Sequence, residues 1–111
     1  MVKVSPNAAD FRFTFRALVY REDRFWIAHC LETDVAAEGE SPADAVHTLG
    51  ELLTSLVEQA IKEGDLRSVF CPAPHDIWRL YGLGKESKIA ARLSKRRSSI
   101  NGIEVRELAL A

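Results

Sequence analysis

Ten consecutive residues constrain this chain more than any other feature. Phe11, Phe13, Phe15, Ala17 and Val19 alternate with Arg12, Thr14, Arg16, Leu18 and Tyr20. A period of two sends alternate side chains to opposite faces of a strand, and aromatic residues favour that conformation. One face carries three phenylalanines and has to be covered. The chain therefore needs a sheet and an element to lay against it. At 111 residues, 47% apolar and 28% charged, it has the size of one domain and enough apolar surface for a core. Disorder as the main state is excluded. No apolar run approaches the roughly 18 residues of a membrane span, and the first residues show no secretory pattern. A cytoplasmic location and no membrane partner are expected.

The rest of the chain supplies the other elements. Residues 1–10 read as a flexible leader, since Ser5, Pro6 and Asn7 are turn formers without periodic neighbours. Residues 11–111 read as one domain. Arg21, Glu22, Asp23 and Arg24 form a charged hairpin turn. Residues 25–31 form a second strand, with Phe25, Ile27, His29 and Leu31 on one face and Trp26, Ala28 and Cys30 on the other. Glu32, Thr33 and Asp34 turn the chain into a third strand over 35–39. Connections this short favour an antiparallel meander.

Ser41 is placed to cap a helix, Pro42 suits its first position, and Asp44 follows Ser41 by three residues. Ala45, Val46, Leu49, Leu52, Leu53, Leu56, Ala60 and Ile61 then recur at helical spacing, and Gly64 is a natural stop. The spacing predicts a helix over 42–63. Pro72 and Pro74 interrupt helicity, and Pro74 opens a short second helix from His75 to about Tyr81, anchored by Ile77, Trp78 and Tyr81. Residues 83–102 read as a flexible basic segment. Asn101-Gly102 reads as a turn before a last strand over 103–110, where Glu107 breaks the alternation as at a bulge or a sheet edge. The order β-β-β-α-α-β predicts an α+β fold: a two-layer, mostly antiparallel sheet of three to four strands, with one long helix packed on one face. Burying Phe11, Phe13 and Phe15 against that helix leaves Leu18, Tyr20, Trp26 and Ala28 for the opposite face. Either the second helix covers them with Ile77 and Trp78, or another protein does.

The chemistry points to binding rather than catalysis. Residues 1–66 carry six Lys/Arg and twelve Asp/Glu, whereas residues 67–111 carry nine and four. Glu32, Asp34, Glu38 and Glu40 put four carboxylates in nine residues, as a solvated rim or a docking edge for a basic partner. They lack the spacing of a calcium loop, so no metal is expected. Lys85, Lys88, Arg92, Lys95, Arg96 and Arg97 form a basic run without interleaved aromatics; a solvated segment is the plainer reading and a nucleic-acid contact the alternative. His29 reads as a structural histidine, His47 as a helix-surface residue near Asp44, and His75 with Asp76 as part of a helix start. Cys30 and Cys71 have neither metal-site nor disulfide-framework spacing and read as buried free thiols. His29 and Cys30 are strand neighbours pointing to opposite faces, so they cannot act as a nucleophile–base pair. No phosphate-binding glycine loop is present, and no cofactor is expected.

The string FTFRALVYREDRFWIAHCLETDVAAEGESPADAVHTLGELL resembles the HicB-like antitoxin family. The resemblance lies in a first strand (13–20), a short acidic hairpin (21–24), an aromatic-initiated second strand (25–28), a His-Cys-Leu stretch (29–31), a third strand ending in a small residue (35–39) and a Ser-Pro turn opening an amphipathic helix (40–45). It covers about residues 11–63, with weaker similarity through Pro72, Pro74 and Trp78. It implies a partial ribonuclease-H-like fold without that enzyme's catalytic carboxylates. It also implies an antitoxin that binds and masks a small basic HicA-type mRNA interferase, as a homodimer or higher homo-oligomer. Tyr20 and Trp26 would then be anchors, with Glu32, Asp34, Glu38 and Glu40 steering the encounter. Many family members add a C-terminal DNA-binding module. Residues 85–111 offer one basic stretch and one strand, which leaves DNA doubtful as a partner. A solitary HicB-like binding or regulatory protein without a toxin is the alternative. A metal-dependent nuclease is disfavoured, because the first two strands carry carboxylates only in their turn.

Overall fold

The computed structural model describes residues 13–89 and 100–108. The leader over 1–10, Phe11, and the basic residues Arg92, Lys95, Arg96 and Arg97 lie outside the described residues. The elements are β1 (Phe13–Glu22), β2 (Phe25–Cys30), β3 (Ala36–Gly39), α1 (Pro42–Glu63), a 3-10 turn (Leu66–Val69), α2 (His75–Leu83), β4 (Lys85–Glu86) and β5 (Ile100–Glu107). No helix among the described residues is long and apolar enough to cross a membrane.

One five-stranded sheet runs in the order β3-β2-β1-β5-β4. The meander β1-β2-β3 is antiparallel, whereas β5 lies parallel to β1. The fold is α+β as expected, but the sheet is mixed and larger than three to four strands. The added strand, β4, is two residues pairing with Arg106 and Glu107 of β5, too short to leave a periodic pattern. The chain reverses between β1 and β2 through only Asp23 and Arg24, with Asp23 at φ 54, because Glu22 already pairs with Phe25. The expected Asn101-Gly102 turn is instead part of β5. There the register slips, with Phe13 opposite Ile100 and Thr14 opposite Gly102. Glu107 lies at neither a bulge nor an edge, since β4 covers it.

α1 has the bounds its caps dictate. Ser41 Oγ accepts the Asp44 amide at 3.1 Å and Pro42 fills the first turn. At the other end Gly64 adopts φ 68, its N–H reaches the Ile61 carbonyl, and the Asp65 N–H reaches that of Ala60. These two bonds satisfy carbonyls that the helix would otherwise leave open. Phe15, Ala17, Val19, Ala28, Cys30 and Ala37 meet Ala45, Val46, Leu49, Leu53, Val57 and Ala60 across the interface. Each large aliphatic residue here contributes about 1.5–3 kcal/mol by leaving water. α1 lies more over β3 and β2 than over β1 and β5.

The second helix seals the other face. Residues 71–73 cross the end of the sheet, with the Cys71 and Ala73 amides bonded to the Glu32 and Leu31 carbonyls. α2 then buries Leu18, Leu31 and Tyr81 with Ile77, Trp78 and Leu80 around them. The sheet thus has helices on both faces rather than two layers, and no second protein is needed to cover Leu18. Trp26 and Ala28, expected on this face, lie on the other. The register sets Arg21 opposite Trp26 and Val19 opposite Ala28, so both side chains join the α1 core.

Candidate functional site

β3 ends the sheet, with no strand on its outer side among the described residues. Its pairing with β2 decides what that edge presents. The Cys30 amide donates to the Val35 carbonyl at 2.8 Å, Ala28 faces Ala37, and Trp26 faces Gly39. Antiparallel ladders alternate, so the backbone groups of Ala37 and Gly39 point at β2 and those of Ala36 and Glu38 point outward. Gly39 closes the strand because α1 starts against it. A Cβ there would run into the Ala45 amide and lie 2.8 Å from Asp44 Cβ.

The four carboxylates expected to act together divide into two pairs. Glu32 is held inside the fold: Oε1 accepts the Arg16 backbone amide at 2.7 Å, and Oε2 lies 3.3 Å from Arg16 Nη1. Asp34 Oδ1 lies 2.6 Å from His29 Nε2. Glu38, on β3, and Glu40, in the bend between β3 and α1, are exposed and make no hydrogen bond or ion pair among the described residues. Of the four, Glu32 is the one held by a strand of the sheet, Asp34 is exposed but engaged by His29, and Glu38 and Glu40 are exposed without a partner among the described residues.

Tyr20 and Trp26 do not form one patch. Tyr20 is half-buried on the α2 face, its hydroxyl 3.4 Å from His29 Nδ1. Burial raises its phenol above the ordinary pKa, with Glu22 and then Asp34 adding to the effect. Trp26 is half-buried on the α1 face at the Gly39 end of β3, with the Arg21 guanidinium 5.9 Å from its ring. Lys85 and Lys88 are exposed at or just beyond β4, at the opposite edge of the sheet from β3. They cannot share a binding surface with the acidic edge.

The remaining candidates have structural partners or none. His29 joins Tyr20 to Asp34, and His47 pairs with Glu51 at 2.8 Å rather than with Asp44. The expected helix start stands: α2 begins at His75 after Pro74, with Asp76 the acidic residue of its first turn, although no side chain among the described residues hydrogen-bonds that end as a cap. Cys30 is buried, and burial raises its thiol pKa. Cys71 is exposed, contrary to the expectation of two buried thiols, because it lies where the chain rounds the end of the sheet. No three His, Cys, Asp or Glu side chains among the described residues converge as a metal site.

One contact and one exposed pair have no signal in the sequence. Arg106 lies 4.6 Å from the Tyr81 ring and donates to the Tyr81 carbonyl, tying α2 to β5. Leu52 and Leu56, expected on the covered face of α1, are 46% and 36% exposed. They share a row with Ala45 (i, i+7, i+11), the residue that abuts Gly39. That row starts beside β3, the last strand of the sheet on this side among the described residues. No family model, characterised protein or solved structure matches the chain.

Proposed function

We propose that this chain is a HicB-like antitoxin with a partial ribonuclease-H-like fold, which binds and occludes a small basic HicA-type mRNA interferase. The observation that carries this reading is the β3 edge, open among the described residues, with Glu38 on it and Glu40 just after it, both exposed and without a partner among the described residues. Exposed carboxylates at an open strand edge and beside its end accelerate encounter with a cationic surface and reject anionic ones. The protein acts as a cover, and no bond is made or broken. Trp26, at the Gly39 end of the same edge, is the aromatic closest in register to the contact. Tyr20 acts indirectly, through the His29–Asp34 pair that shapes the approach to β3. The antitoxin works as a homodimer or higher oligomer, as the resemblance implies.

Co-expression tests this. A HicA-type interferase arrests growth on induction, and this chain is expected to restore growth when induced with it. The double variant Glu38→Lys/Glu40→Lys is expected to restore it poorly while accumulating to the same level. Arrest that the wild-type chain does not relieve contradicts the reading.

A further inference from the structure

We propose that the β3 edge accepts an extended segment of the partner as a sixth strand, with alternating Lys/Arg and apolar side chains. The inference rests on the reading of a basic protein partner and specifies how that partner is held. Three independent features meet at this edge. The outward backbone groups of Ala36 and Glu38 offer a ready hydrogen-bonding template. Leu52 and Leu56 are exposed on the row of α1 that begins at Ala45, which abuts Gly39 of β3. Glu38 projects to the opposite face of the sheet, toward Ile27 with which it pairs. An added strand would continue both faces. Its residues on the α1 side would slide beneath Leu52 and Leu56 and must be apolar. Its alternate residues would lie beside Glu38 and are favoured when cationic.

A second copy of the chain fits this edge poorly. In an antiparallel β3–β3 pair about a two-fold axis through the sheet, centring on Glu38 sets the two Glu38 side chains opposite each other. Centring on Ala37 sets Glu38 opposite Ala36 and leaves the two carboxylates on the diagonal, about 7–8 Å apart. Both registers bring like charges together. The edge is therefore biased against self-pairing, as natural sheet edges are when they carry charge, and toward a basic strand.

The test uses the full chain with two synthetic peptides, one alternating valine and lysine and the other valine and glutamate. Backbone amide exchange is followed residue by residue. The valine–lysine peptide is expected to slow exchange at Ala36 and Glu38 and to leave Ala37 and Gly39, already bonded to β2, unchanged. The valine–glutamate peptide is expected to do neither. Leu52→Gln/Leu56→Gln, at exposed positions, is expected to weaken peptide binding about tenfold. Glu38→Pro removes an outward N–H that is not part of the β2 ladder and is expected to abolish the protection. Equal binding of both peptides, protection elsewhere on the chain, or indifference to the leucine variant overturns the proposal. The two readings separate cleanly. A basic ribonuclease neutralised as well by the Glu38→Pro protein as by wild type removes the sixth strand but keeps the antitoxin. Strand addition at β3 without neutralisation of any such ribonuclease does the reverse.

Discussion

Asp34 reaches back across the β2–β3 turn to His29, its Oδ1 2.6 Å from the ring Nε2, and does so from a left-handed backbone at φ 59. Asp tolerates that conformation better than most residues, because its short polar side chain bonds locally. The pair closes the turn that launches β3. Asp34→Ala keeps the strained backbone and loses the bond, so it is expected to cost about 2–3 kcal/mol. Asp34→Gly loses the bond but relieves the strain and is expected to cost about 1–2 kcal/mol less than the alanine variant. Urea unfolding of both variants checks this; equal midpoints would show that the turn stores no strain.

Gly39 is a steric requirement rather than a flexible joint. A methyl group there would collide with the α1 backbone at Ala45 and press on Asp44. Backbone cannot swing aside as a side chain can, so Gly39→Ala is expected to destabilise by about 2 kcal/mol or more. A denaturant midpoint within experimental error of wild type would contradict the close approach of β3 to α1.

Much of this architecture is legible in the sequence. The Ser41-Pro42 start and Gly64 stop of α1 stand as read, because caps are local chemistry. The alternation within β2 also holds, with Trp26, Ala28 and Cys30 on one face. Trp26 lies on the α1 face rather than the far one, for a reason visible in the sequence. A hairpin loop of even length pairs odd positions of β1 with even positions of β2, so Trp26 and Ala28 must share the face of Val19. Other features were not legible. The exposure of Leu52 and Leu56 depends on where α1 lies over the sheet. The separation of Glu32 and Asp34 from Glu38 and Glu40 depends on Arg16 and His29, brought from other strands. Spacing alone makes four nearby carboxylates look equivalent.

The carboxylate split predicts two different phenotypes. Glu32→Lys breaks the bonds to the Arg16 amide and guanidinium and is expected to lower stability by about 1–3 kcal/mol. Glu38→Lys removes no bond and is expected to leave stability within about 0.5 kcal/mol of wild type. It is expected to weaken the salt-dependent binding of a basic partner. Thermal melts and binding at two ionic strengths distinguish them, and similar melting losses for both variants would contradict the split.

The thiols and phenols also report on burial. Cys71 is expected to react rapidly with a thiol reagent in the folded chain, and Cys30 only on unfolding; equal rates would contradict the placement of Cys30. Burial raises the pKa of Tyr20, with Glu22 and Asp34 adding to it, and burial also raises that of Tyr81. A raised pKa means the folded chain keeps a proton that the unfolded chain releases. The associated stability is fully present below the unfolded value, about pH 10, and is lost as pH rises through the folded values. Tyr20→Phe cannot ionise and is expected to move alkaline unfolding to higher pH. Phenolate absorbance showing both tyrosines titrating at their ordinary value would contradict this.

The most direct measurement is RNA cleavage by a purified HicA-type interferase as this chain is titrated in. The account predicts that cleavage falls to zero at a fixed stoichiometry, that added salt weakens the inhibition, and that the chain alone leaves the RNA intact. Undiminished cleavage at excess chain, or cleavage by the chain itself, would contradict it.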